Sequence, residues 1–354
     1  MSRPIVTALV DTYNHEEFIE QALNSVLSQD FPPGEMEILV VDDGSTDRTP
    51  DIVRRFEPRV RLIRKTNGGQ ASAFNTGVPE ARGEIIAFLD GDDWWVPRKI
   101  ITVTEAFREN PDIDMVGHGF VQTSGREQQT ISAPILKPMS IESIATAKIF
   151  RLYRCYFGTS RLALRATVAR SVLPVPPALI FEADEYIFTL AAKLSRFVIL
   201  PDALTFYRVH RGNLFLAAGS SRGGLRKKQQ VLAGLAAGLR KGLAAHCTPT
   251  EIADCLLEIV EAEELQLRLM LDGGPPWRTV QTEHTLYRIQ HARASVQQKV
   301  FHHLAFLPAY VLPPQWFYRA RVWITAQPWY ARARRAVAPV PQISTLDGSS
   351  HVHE

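Results

Sequence analysis

Three strand-length apolar runs near the start of the chain each stop at acidic residues, and this pattern limits the fold more than any other. Ile5–Val10 stops at Asp11-Thr12-Tyr13-Asn14, Ile38–Val41 at Asp42-Asp43-Gly44-Ser45, and Ile85–Leu89 at Asp90-Gly91-Asp92-Asp93. Runs this nearly continuous in apolar residues suit strands covered on both faces. Between them the period changes to that of a helix. Phe18, Ile19, Ala22, Leu23, Val26 and Leu27 share one face, and Asn14 with Glu17 three residues on reads as a capping box at its start. A shorter helix carries Ile52, Val53 and Phe56, Val60–Ile63 reads as another strand, and Ala71–Val78 follows the Asn67-Gly68-Gly69 loop as a helix. Strand and helix in alternation predict an α/β protein with a mainly parallel, Rossmann-like sheet and right-handed crossovers. The three acidic ends then meet at the carboxyl edge, where open α/β sheets bind ligands.

Like charges gathered at one edge cannot all stay ionised without a compensating cation. An oxygen-rich set with a glycine-separated Asp pair suits a hard divalent ion, Mg²⁺ or Mn²⁺, which keeps waters and bridges phosphates. The competing reading is that these aspartates only cap turns, and it is strongest for Asp42 and Asp43 before Gly44-Ser45. Other nucleotide folds lack their residues: no GxGxxG follows the first strand, and GxxxxGK[ST] and HExxH are absent. Forty Lys and Arg against 37 Asp and Glu leave a net charge of +3, too little to imply nucleic-acid binding.

Five segments in order resemble the family 2 glycosyltransferases. They are Val10–Asn14, Ser25–Gln29, Val40–Asp47, Asn67–Gly77 and Ala81–Asp93, with weaker likeness to about residue 213. The resemblance implies a GT-A nucleotide-diphospho-sugar transferase fold and a metal-dependent, inverting reaction in polysaccharide or glycan biosynthesis. By position, Thr12 and Tyr13 would lie at the base and ribose of a nucleotide-diphosphate sugar, most simply a UDP-type donor. Asp43 and Asp42 would bond the pyrimidine, with Asn67 in the same donor-binding set. Asp90 and Asp92 would form the DxD pair, Asp92 as the direct metal ligand, Asp90 nearer the ribose and Asp93 sharing the metal. Asp11 departs from the pattern, where a small, hydroxylated or proline residue is usual.

Inversion also requires a general base that takes a proton from the attacking hydroxyl. The family places an Asp at a helix start; here Asp184 precedes Ile187, Leu190, Ala191 and Leu194 on one face. The family's adjacent Glu is Ala183, and Glu182 and Glu185 are the substitutes. An acidic helix start also suits the helix dipole with no catalytic role. Further on, Phe206-Tyr207-Arg208-Val209-His210 resembles a family segment whose His reaches the metal or diphosphate, with Arg208 beside it.

These segments imply a catalytic domain over 1–215, a helical C-terminal region over 222–338 and a disordered tail over 339–354. Thr248-Pro249-Thr250-Glu251 reads as a capping box opening a helix to about Leu271, and another helical stretch is expected to about Phe306. After it, tryptophans and tyrosines from Trp316 to Tyr330 interleave with arginines from Arg319 to Arg335. They read either as a helix packed on the protein or as an interfacial helix at an anionic membrane. Three cysteines with no CxxC pair fit a reducing compartment. With no apolar leader, the expected location is cytoplasmic, with peripheral contact at the inner membrane face as an extension. The acceptor would be a glycan, lipid-linked or protein hydroxyl. A nucleotide-sugar binding protein without turnover is the alternative, because the Glu-Asp pair is broken. A nucleotidyltransferase would need a basic glycine-rich loop near the first strand, and none is there.

Overall fold

The computed structural model describes residues 3–210, 212–213, 221–291, 295, 299–300, 303–304, 306–325 and 327. The expected tail at 339–354, most of the stretch between Gln290 and Phe306, and Trp329 and Tyr330 with the arginines beyond them lie outside these residues. The chain divides into two compact units, one formed by Met1–Arg211 with Ala237–Leu256 and the other by Gly212–Ala236 with Leu257–Glu354.

The first unit is built on one nine-stranded sheet. Strands β1 (Val6–Thr12), β2 (Met36–Asp42), β3 (Arg61–Arg64) and β4 (Ile85–Asp90) form a parallel set in the order β3-β2-β1-β4. Helices α1 (Ile19–Leu27), α2 (Thr49–Arg54) and α3 (Gln70–Glu80) connect them. Alternate residues of the central strands face opposite ways, and both sets are buried. Val6, Ala8 and Val10 pack with Ile19, Leu23 and Val26 of α1, while Leu9 closes on Gly77 of α3, where a Cβ would meet its Cδ1 at 2.6 Å. Each of the buried Val, Leu and Ile side chains stabilises the fold by about 1.5–3 kcal/mol. Thr7 is fully buried, and its hydroxyl is satisfied by donating to Glu37 (2.7 Å) and accepting from Gly83 N–H (2.8 Å).

Beyond β4 the sheet becomes mixed. Short β8 (Ala163–Arg165) runs antiparallel to β4, followed by long β6 (Ile113–Ser124), β9 (Arg196–Val209) parallel to it, and β5 (Trp94–Trp95) at the edge; β7 (Glu127–Ile131) pairs β6. Helix α4 (Lys99–Glu109) follows β5. Helices α5 (Ile144–Tyr153), α6 (Ala166–Ser171) and α7 (Ala183–Leu194) complete the order up to β9. Gly238 and Gly242 lie against Tyr186 and Leu190 of α7, where a Cβ on Gly242 would come within 2.8 Å of Leu190.

Both sequence-predicted capping boxes fail. Helix α1 starts at Ile19 and Phe18 occupies its cap without a side-chain bond. Asn14 instead adopts a left-handed φ of 55° and accepts the Thr46 N–H at 2.8 Å. The residue that reads as a cap is spent tying one loop to another. Likewise the Thr248 hydroxyl is buried with no hydrogen-bond partner, and the helix Thr250–Asp272 begins on backbone bonds to Pro249 O.

The second unit is helical. Leu269, Val280, Phe306, Ala309, Phe317 and Tyr318 form its buried cluster. No helix among the described residues is long and apolar enough to cross a membrane.

Candidate active site

Register brings the acidic ends together. Asp11 lies directly opposite Asp90 and Thr12 opposite Asp42, because β1 pairs in parallel with both neighbours. The loops above are then laced to each other. Asn14 N–H donates to Ser45 Oγ, His15 N–H to Thr49 Oγ1 (both 2.8 Å), and Glu16 N–H to Asp47 Oδ2 (3.0 Å). This lacing holds His15 over the β4 turn, its Nε2 4.0 Å from Asp92 Oδ2. Gly91 leaves no room for a side chain: a Cβ would stand 2.7 Å from Thr12 Oγ1 and 2.8 Å from His15 Nδ1.

Asp90, Asp92 and Asp93 each offer an oxygen within 4.8 Å of the others. Burial, then the charge of Asp92, pushes the Asp11 carboxyl up to about 8. The same two causes bring Asp93 to about 7. Asp90 is driven well above the usual carboxylate range by burial and by Asp11, Asp92 and Asp93. Asp92 goes the other way. Burial would raise it, but the hydrogen bond from His210 and the nearby imidazoles outweigh burial and hold it low. His210 Nε2 is 2.8 Å from Asp92 Oδ2. Asp11 Oδ1 and Asp93 Oδ2 are sealed from solvent without a hydrogen-bond partner.

Asp184 reaches this cluster from the first turn of α7. Its Oδ2 accepts Thr159 N–H (2.9 Å) and Thr159 Oγ1 (3.2 Å), and its Oδ1 accepts Glu185 N–H (2.9 Å). Gln70, the first residue of α3, spans the gap. Its Nε2 donates to Asp90 Oδ1 (3.3 Å) and to Thr159 Oγ1 (3.2 Å), while its Oε1 accepts Ala183 N–H (3.1 Å). The Asp90 N–H in turn donates to Ser160 Oγ at 3.1 Å. A buried brace fixes that turn from below: Lys99 Nζ (2.7 Å) and Thr205 Oγ1 (2.6 Å) both donate to Ser160 O. Glu182 holds a left-handed φ of 61° at the helix start, and Glu185 pairs with Arg154.

The other expected residues fall in different surroundings. Asp43 is buried and saturated: it accepts Gly69 N–H (2.7 Å), Gly68 N–H (3.1 Å) and Lys65 Nζ (2.5 Å). Asp42 is fully buried and accepts Ser45 N–H at 3.0 Å; its Oδ2 lies 3.1 Å from Arg64 Nε, close enough for an ion pair though not aligned as a hydrogen bond. Gly69 needs its φ of 79° to turn into α3, and a Cβ there would strike Ile180. Thr12 is buried with its hydroxyl 3.2 Å from His15 Nδ1, whereas Tyr13 and Asn67 are exposed. The Arg208 guanidinium lies over the Phe18 and Trp94 rings, donates from Nε to the Asp92 carbonyl (2.8 Å), and bonds Gln21. Its own N–H donates to Asp93 at 2.8 Å. Arg208 therefore supports the acidic turn from behind.

Gln70, Thr159, Ser160 and His15 escaped the sequence reading. Gln70 carried a usable signal, since it directly follows the Gly68-Gly69 turn. Thr159 and Ser160 sit in a one-turn 3₁₀ segment with no periodicity to mark it.

The sheet and its acidic edge are those of a GT-A fold. The family model described as glycosyl transferase family 2 matches residues 7–169. The uncharacterized glycosyltransferase alr2836 of Nostoc sp. is 32% identical over 232 residues, covering 64% of this chain and 71% of its own length. The poly(ribitol-phosphate) beta-N-acetylglucosaminyltransferase TarS of Staphylococcus aureus is 28% identical over 219 residues, 58% of this chain but 35% of TarS. Among solved structures, the mannosyltransferase PcManGT from Pyrobaculum calidifontis, in complex with GDP-Man and Mn²⁺, superposes with a TM-score of 0.53 at 22% identity over 95% of this chain and 88% of its own. The S. aureus TarS 1–349 structure gives 0.53 at 19% over 89% of this chain and 91% of that one. The chain belongs to glycosyltransferase family 2.

Proposed function

We propose that this chain moves a sugar from a nucleoside-diphosphate sugar to an acceptor hydroxyl with inversion at the anomeric carbon, and that Asp184 is the general base. The observation that carries the reading is the Gln70–Thr159 link, which joins Asp184 to Asp90 although the two are far apart in sequence. Asp184 Oδ1 accepts one backbone bond in the structure. A carboxylate oxygen has a second lone pair, which is free to take the acceptor's proton. The first-turn position favours the ionised form that a base requires.

The acidic residues fit a divalent cation, Mn²⁺ or Mg²⁺. Three carboxylates converge, one buried Asp93 oxygen is unpartnered, and their mutual repulsion calls for positive charge. Asp92 would hold the ion, with Asp93 and His210 beside it. Bound there, it would supply neutralisation of the diphosphate leaving group. His210 keeps Asp92 ionised and oriented, and Arg208 fixes the Asp92 carbonyl. Tyr13 and Asn67, both exposed above the strand ends, are offered to the nucleotide, with Thr12 shaping the floor. Asp43 holds the loop that carries Asn67, and Asp42 holds the Gly44-Ser45 turn, both at the base of the nucleotide position. The donor is assigned as UDP-type and the acceptor as a glycan, lipid-linked or protein hydroxyl. The catalytic domain is placed at 1–215, with the helical region at 222–338.

Two variants test the assignment. Asp184→Asn should lower nucleoside-diphosphate release by about 10²–10⁴-fold while donor binding by calorimetry persists. Asp92→Ala should lose both. Near-normal turnover in Asp184→Asn would remove the base assignment. Saturable donor binding by the unaltered chain with no release would favour the binding-only alternative.

A further inference from the structure

The second unit leaves an unusual amount of apolar surface in solvent. Leu304, Leu307 and Val311 are 56–77% exposed, and Trp316 and Trp323 are 67% and 65% exposed. Helix Pro314–Thr325 shows why. Phe317, Tyr318 and Pro314 occupy its buried face, with Phe317 and Tyr318 joining Phe306 and Ala309 in the core. Trp316, Arg319, Ala320 and Trp323 recur at helical spacing on the opposite face, and all four are exposed. Two exposed tryptophans flanking an arginine on one helix face are more than scattered surface apolars.

Charge indicates what this face meets. Residues 284–346 contain eight Lys and Arg and no Asp or Glu, although the whole chain carries only +3. The remainder is therefore net acidic, and the positive charge is concentrated in the segment that exposes the apolar side chains. Two of these cations are paired, Arg321 with the buried Glu283 (2.6 Å) and Arg288 with Glu258, while Lys299 and Arg319 are exposed. No described helix is long and apolar enough to cross a bilayer, and an exposed apolar face along one side of a helix suits a surface-lying contact. We infer that the exposed face of helix Pro314–Thr325, with Leu304, Leu307 and Val311 before it, docks on an anionic lipid bilayer. The tryptophans enter the headgroup boundary and the basic side chains pair with lipid phosphates. This inference rests on the second unit alone and is independent of the transferase assignment.

Vesicle flotation of the full chain tests it. The protein should float with phosphatidylcholine vesicles doped with phosphatidylglycerol and stay behind with phosphatidylcholine alone. Arg319→Glu should lower partitioning about fivefold or more, and Trp316→Ala with Trp323→Ala about tenfold or more. All three side chains are exposed, so circular dichroism and melting should be unchanged. Raising the salt should release the unaltered chain from anionic vesicles, a readout that needs no variant. Equal flotation with both vesicle types, salt-insensitive binding, or unchanged partitioning of folded variants would overturn the inference. So would a concentration-dependent dimer abolished by the tryptophan substitutions, which would make a second copy the occupant.

Discussion

Replacing Asp11 by Asn should stabilise the metal-free protein, and more so at alkaline than at acid pH. Asp11 is the penultimate residue of β1 and lies opposite Asp90, with its Oδ1 buried and unpartnered. Burial and Asp92 raise its carboxyl from 3.8 to about 8. A group whose folded value is raised above its unfolded one binds more protons folded than unfolded. Stability is therefore lost as pH rises from the unfolded value through the folded one. Each unit is worth about 1.4 kcal/mol. Between pH 5 and pH 8 that slope amounts to about 4 kcal/mol for an isolated group, and sharing of protons with Asp90 and Asp93 reduces it to about 2–3 kcal/mol. Asn is close in volume and carries no charge, so it removes the repulsion without opening a cavity. Denaturant midpoints with EDTA at the two pH values, compared with the unaltered chain, give the difference directly. An advantage of Asn that is equal at both pH values, or larger at pH 5, would show that Asp11 is not strained by its neighbours. Saturating Mn²⁺ should shrink the advantage, because a cation relieves the same repulsion.

Gly91→Ala forces a Cβ against Thr12 and His15 and should cost about 1–3 kcal/mol in thermal or denaturant unfolding, with weaker Mn²⁺ binding by calorimetry. Unchanged melting would mean that the turn is looser than its contacts imply. Gln70→Ala removes three hydrogen bonds linking Asp90, Thr159 and Ala183. It should lower kcat about tenfold or more with a smaller change in donor KM, because it loosens Asp184 and leaves nucleotide contacts in place. Arg208→Lys keeps the charge but loses the planar stack on Phe18 and Trp94. It should weaken metal affinity, and unchanged affinity would dismiss the supporting role.

The legible part of the fold is the part with strong periodicity. β1 to β4 and α1 to α3 follow from apolar runs separated by helical spacing, and their acidic ends identified the sheet edge. Strands β5 to β8 did not stand out. β5 and β8 are two and three residues long, and β7 is largely exposed, so burial leaves no alternation in the sequence. The site was legible in the same uneven way. Asp90, Asp92, Asp93, Asp184 and His210 carry recognisable motifs, and the structure brings them together. Asp42 and Asp43 have the same residue type and the same strand-end position, yet both are buried, Asp42 on Ser45 N–H of the following loop and Asp43 on Lys65, Gly68 and Gly69 after β3. Nothing in the sequence separates an aspartate that caps a turn from one that faces a ligand. The connecting residues, Gln70 and Thr159, act through hydrogen bonds between distant segments and leave no local pattern. The capping box at Asn14 failed for a related reason, because Asn14 found its partner in a neighbouring loop.

The central claim is that the acidic edge and Asp184 together perform cation-dependent transfer from a nucleotide sugar. The most direct measurement is nucleoside-diphosphate release from a panel of UDP- and GDP-sugars, with EDTA, Mg²⁺ or Mn²⁺, for the unaltered chain and for Asp184→Asn. The account predicts release from at least one donor that EDTA abolishes, that added Mn²⁺ or Mg²⁺ restores, and that Asp184→Asn lacks. Release that persists in EDTA, or that Asp184→Asn supports at the unaltered rate, would contradict it.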